Sequence, residues 1–212
     1  MRNMRQIPSI RFRLRRFVGD RSALAAVEFA LILPLMLMLF FGTVEFSSGV
    51  AVDRKVTLVA RTLSDLTSQS ISVANSDLTN FFSAAVGIMT PYDPSPTKAQ
   101  ISEIYIDSTK TAKIQWTMAA TITSGASQAT LAASSRSAGD NLTSLIPSAL
   151  LIPQTSLIFS EVSYKYVPTV GYVMAKAGIN LSDVAYTRPR QSSCVIYPTP
   201  AAGTAMPACP ST

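Results

Sequence analysis

The sequence predicts an α+β protein: a long N-terminal helix, then a small antiparallel sheet with one further helix packed on it. Three observations lead there. Residues 24–44 form an almost unbroken apolar run, and residues 52–66 repeat apolar side chains at helical spacing. Segments around 104–118 and 162–166 alternate apolar and polar residues, as half-buried strands do.

Residues 1–23 read as a basic leader. Its seven arginines stand against one aspartate, Asp20, so the net charge of +6 resides there. The remaining eleven basic and eleven acidic residues cancel, and no basic face for nucleic acid is expected. From Leu24 to Val44 the only charge is Glu28, and 21 residues are enough to span a hydrocarbon core about 30 Å thick. With the arginines on one side, residues 24–45 read as a single transmembrane helix whose N-terminus stays in the cytoplasm. An ordinary signal peptide is the competing reading, although its apolar region is normally only about 7–15 residues long.

Residues 46–69 continue the helix as an amphipathic extension. Val52, Val56, Val59, Leu63 and Leu66 fall at spacings of 4, 3, 4 and 3, one stripe on one face. A helix from Leu24 to Leu66 would be about 65 Å long at roughly 1.5 Å per residue.

Residues 70–190 read as an exported α+β domain. "TSQSISVANSD" (67–77) is loop-like; Asp77 is the expected N-cap of a helix placing Leu78, Phe81, Phe82, Ala85 and Val86 on one face. "TPYDPSPT" breaks that helix. Ile104 and Ile106, then Ile114, Trp116 and Met118, predict a hairpin with one buried face. Residues 119–139, rich in Ala, Ser and Thr, read as a surface loop. Residues 141–153 suggest a short helix cut by Pro147. Val162, Tyr164 and Tyr166 mark a third strand, and residues 182–190 a fourth, pushed to an edge by Pro189. Tyr92, Tyr105, Tyr164, Tyr166, Tyr172 and Trp116 are expected in the core and on the sheet faces.

Residues 191–212 form a Pro-rich tail bracketed by Cys194 and Cys209. In an oxidising compartment two cysteines at this spacing form a disulfide or remain as two free thiols, and the bridge is favoured. Without histidine, Ser–His and Cys–His catalysis is excluded, and two cysteines make a zinc site unexpected. No cofactor and no enzymatic activity are expected; Glu103, Asp107 and Glu161 show no pairing that suggests hydrolysis.

The stretch "DRSALAAVEFALILPLMLMLFFGTVEF" (20–46) resembles the N-terminal segment of TadE-like proteins, the pseudopilins of tight-adherence (Flp) type IV pilus systems. Val27, Glu28, Phe29, Pro34 and Glu45 match that signature. The resemblance implies a pilin-like shape, a bacterial inner-membrane location with the sheet domain in the periplasm, and a part in pilus assembly. Implied partners are other pilus-assembly proteins, pilin-like subunits, membrane lipid and a prepilin peptidase. Counting back from Glu28 places peptidase cleavage between Ala23 and Leu24, with alanine where the family usually has glycine. The family also implies that Glu28 pairs with the new terminal amine of a neighbouring subunit. The competing reading keeps Glu28 at the interface, snorkelling or protonated. An envelope protein with a periplasmic binding domain unrelated to pili is the alternative function.

Overall fold

In a computed structural model describing residues 24–168 and 177–210, Leu24–Ser68 form one unbroken helix, α1. The basic leader and Tyr172 lie outside the described residues. The predicted stripe faces the protein: Val52, Val56, Val59 and Leu63 are buried, and Leu66 is half-buried at the margin. A second helix, α2 (Asn75–Met89), packs beside α1 through Leu78, Phe82, Ala85 and Met89. Asp77 sits three positions further into the helix than its expected capping role. The N-cap is Ala74, and the Asp77 carboxylate accepts the Ala74 N–H at 2.8 Å. This is the reaching-back half of a capping box; alanine has no oxygen with which to supply the other half. At the far end Lys55 Nζ donates to the carbonyls of Ile88 and Thr90, both at 2.7 Å, satisfying acceptors that the last turn leaves open.

Five antiparallel strands follow: β1 (Thr97–Ile106), β2 (Ala112–Thr121), β3 (Thr130–Ala132), β4 (Thr155–Tyr166) and β5 (Ile179–Thr187), in the order β3-β2-β1-β4-β5. Both helices cover one face. There Ile101, Trp116, Ile158, Val162 and Tyr164 meet α1 and α2 in the main core. Small residues let α1 approach β4 and β5 closely. Ser160 Oγ donates to the Ala60 carbonyl at 2.6 Å, and Ser64 Oγ to Thr187 Oγ1 at 2.8 Å.

The hairpin differs from its expected form. Glu103 pairs with Trp116 but Ile104 with Ile114, so Gln115 is an extra residue in β2. A bulge of this kind turns the following side chains to the opposite face. Ile114 therefore joins Ile104, Ile106, Leu157 and Phe159 in a second core behind the sheet, while Trp116 faces the helices. Both faces are buried, not one.

The connection from 133 to 153 covers this second core with Leu142 and Ile146. It is not the predicted helix: Pro147 and Pro153 leave only a single 3-10 turn, Ser148–Leu150. Nor is 119–139 all loop. Thr130–Ala132 pair with Ala119–Thr121, and Arg136 closes onto Glu161. β5 is an edge strand that ends before Pro189, as its sequence predicts.

Candidate functional site

Among the described residues, nothing outside α1 buries its residues 24–41, all of which are exposed. Leu31 is 75% and Leu39 63% exposed, and the most apolar 18-residue window has a mean hydropathy of 2.4 with none of it buried. A helix apolar on every side and unburied by its own chain is matched to lipid or to other helices. Leu24, Val27, Glu28 and Phe29 are exposed in its first two turns, and Pro34 lies within it. Ala23, on the other side of the expected cleavage point, lies outside the described residues. Among the described residues none bonds the Glu28 carboxylate, and Glu28 is exposed.

Glu45 is different. It is 4% exposed, turned against the domain on the same face as Gly49 and Val52. Its carboxylate and the Ser48 hydroxyl lie beside the phenol of Tyr166, the last residue of β4. Burial raises the Tyr166 pKa above its ordinary value, and the Glu45 charge adds to that rise. The two motif glutamates thus have separate surroundings. Seventeen residues apart, they are about 26 Å apart along the axis and about 100° apart around it. Glu45 belongs to the junction of helix and sheet; Glu28 points away from the domain-facing stripe.

The other end of the chain contributes a site that sequence reasoning missed. The segment from Cys194 to Thr199 is not an appendage. Val195 is fully buried, and Ser72 and Ile196 form a parallel bridge, with Val73 N–H donating to the Ile196 carbonyl at 2.9 Å. Two side chains of the hairpin hold Val195. Its N–H donates to Glu103 Oε1 at 2.9 Å, and its carbonyl accepts from Trp116 Nε1 at 2.6 Å. Tyr197 lies 5.3 Å from the Trp116 ring, centroid to centroid. The Cys194–Cys209 disulfide, with its Cα atoms 5.7 Å apart, then closes the tail. Burial pushes the Glu103 pKa up from 4.5 to about 7, against the opposing pull of the Val195 N–H. The available signal was a lone carboxylate in "ISEIYI", in register with the core residue Ile101.

Glu161 and Asp107, the other two carboxylates singled out in the sequence, have structural partners. Glu161 takes a two-pronged contact from Arg136, with Nε at 2.6 Å and a terminal nitrogen at 2.5 Å. Asp107 accepts the N–H groups of Thr109 and Thr111 at the β1–β2 turn. Among the described residues no cluster of three or more Cys, Asp or Glu side chains could hold a metal ion.

Compared with known families, residues 24–63 match the model described as TadE-like protein. The match begins at the first residue of α1 and ends at Leu63, the last residue of the predicted stripe that is fully buried. The α2 helix and the sheet lie outside it. No curated protein matches the chain, and neither does any solved structure.

Proposed function

We propose, from the match of residues 24–63 to the TadE-like family, that this chain belongs to a tight-adherence pilus system and acts as a minor pilin or pseudopilin in pilus assembly. It is anchored in the bacterial inner membrane by residues 24–45, with its N-terminus cytoplasmic and the sheet domain periplasmic. The role is structural, not enzymatic, and its partners are pilin-like subunits and assembly proteins.

The observation that supports this reading best is the division of α1. One half is clamped to the sheet by Val52, Val56, Val59 and Leu63, while the other is bare and bears an outward-facing carboxylate. A helix built this way holds a globular head at a fixed distance from a lateral contact made within the membrane. In hydrocarbon, a carboxylate is tolerated when it meets an opposite charge, and Glu28 meeting the amine freed by cleavage before Leu24 would supply one. Misregistered subunits would leave that charge unpaired.

The test is genetic. Deleting the chain should abolish surface pili, and supplying the full chain in trans should restore them. Normal piliation without the chain would overturn the assembly role and favour an envelope protein acting on an unrelated partner.

A further inference from the structure

The two ends of the Cys194–Cys209 bridge are held differently. Cys194 is 2% exposed and opens a strap that is fastened along its length. Beyond the two bonds to Val195, the Ile196 N–H donates to the Ile71 carbonyl and the Thr199 N–H to the Val73 carbonyl, both at 3.0 Å. The Tyr197 hydroxyl donates to Asn75 Oδ1 at 2.7 Å. Cys209 closes an arc of another kind. Residues 201–208 are all exposed, and Cys209 itself is part-exposed. Among the described residues the hydrogen bonds of this arc are internal, from Thr204 to the Ala201 carbonyl. The bridge is therefore what ties the far end of the arc to the domain.

A disulfide is opened by a thiolate that attacks one sulfur in line with the S–S bond and expels the other. An in-line approach to Cys194 Sγ runs through the domain that buries it, whereas Cys209 Sγ is approached from the solvent side. Leaving-group strength favours the opposite direction, because a thiol buried in apolar surroundings has the higher pKa and departs less readily. That influence is graded, but a covered sulfur is not reached at all until the strap lifts. Access decides the direction.

We propose that Cys209 Sγ is a site of thiol–disulfide exchange, with Cys194 as the buried partner that departs, and that exchange there frees the arc while the strap stays seated. The incoming thiolate bonds to Cys209 Sγ as the Cys194–Cys209 bond breaks. The electron pair leaves on Cys194 Sγ, which takes a proton from solvent. A second thiolate then attacks the reagent sulfur of the mixed disulfide and releases Cys209 as a thiolate. Two reagent thiols are thereby oxidised to one disulfide, and the bridge is reduced to two thiols. The substrate class is a thiol. The result is a clasp. Closed, it holds residues 200–209 on the domain; open, it lets them extend from Thr199 without disturbing the contacts of Glu103 and Trp116 with Val195.

The full chain in detergent micelles is treated with reduced glutathione, sampled before reduction is complete, and quenched with excess N-ethylmaleimide in denaturant. Peptide mass mapping should find glutathione on Cys209 and maleimide on Cys194. Glutathione on Cys194, on both sites alike, or on neither would overturn the assignment. In the fully reduced chain, hydrogen exchange at the Val195, Ile196 and Thr199 amides should remain protected, and the Gly203 and Ala205 amide resonances should narrow. Loss of protection at the strap amides would show that the bridge, not the strap's own contacts, holds Val195 in place, and would overturn the clasp. Unchanged line widths at Gly203 and Ala205 would overturn the release of the arc.

Discussion

Replacing Glu103 by glutamine should change how the stability of the domain depends on pH, because the buried carboxyl titrates far from its unfolded value. Glu103 is 2% exposed, and its pKa rises from 4.5 to about 7 through loss of hydration. Between those values the folded chain retains a proton that the unfolded chain has released. Stability therefore falls as pH rises through that window. Below about pH 4.5 both states are protonated and the group contributes no penalty; above about pH 7 the penalty is complete. The difference amounts to about 3 kcal/mol, at roughly 1.4 kcal/mol per pKa unit. Glutamine keeps an oxygen to accept the Val195 N–H without acquiring a charge. Trp116 is the sole tryptophan and donates to the Val195 carbonyl, so its fluorescence reports unfolding at the site itself. Denaturant titrations of the full chain in detergent micelles should show wild type losing stability from pH 4.5 to 7.5. The Glu103→Gln protein should lose much less, becoming the more stable of the two at the upper end. Parallel pH profiles for the two proteins would refute the argument.

Two further changes probe the frame. Ala60→Leu puts a large side chain where the Ser160 hydroxyl reaches the helix backbone, and should lower stability by about 1–3 kcal/mol through overpacking, read by thermal unfolding. Reducing the Cys194–Cys209 bridge, which closes a separation of 15 residues, should lower stability by up to about 3 kcal/mol, with an earlier Trp116 transition; an unchanged transition would mean that the Val195 contacts alone hold the tail.

What could be read in advance followed from local periodicity. The five-residue stripe on α1 and the apolar run before it extend over many turns, so the helix was predicted to within two residues of its end at Ser68. Proline punctuation placed the edge of β5 for the same local reason. The errors arose where one residue or a distant partner decides. A single extra residue, Gln115, reverses the side-chain alternation, and nothing in the spacing of Ile114, Trp116 and Met118 reveals it. β3 is three residues of Thr, Leu and Ala, too short to show a period, and forms because Ala119–Thr121 offer it an edge. Cys194 to Thr199 looked like a loose tail because its partners, Val73, Glu103 and Trp116, are roughly eighty to one hundred and twenty residues away. Of the motif residues, the sequence singled out Glu28 and Glu45 alike. Only the packing around Tyr166 separates the inward carboxylate from the outward one.

The central claim, that Glu28 serves contacts between subunits within the membrane, is tested most directly by Glu28→Ala in a piliated strain. The variant should insert in the membrane as well as wild type or better, because the substitution removes a charge from the apolar run. Surface pilus yield should nevertheless fall by an order of magnitude or more, since losing one partner of a buried ion pair costs about 3–5 kcal/mol. Normal pilus yield at an unchanged membrane level of the protein would contradict the account and leave Glu28 as a carboxylate resting at the interface.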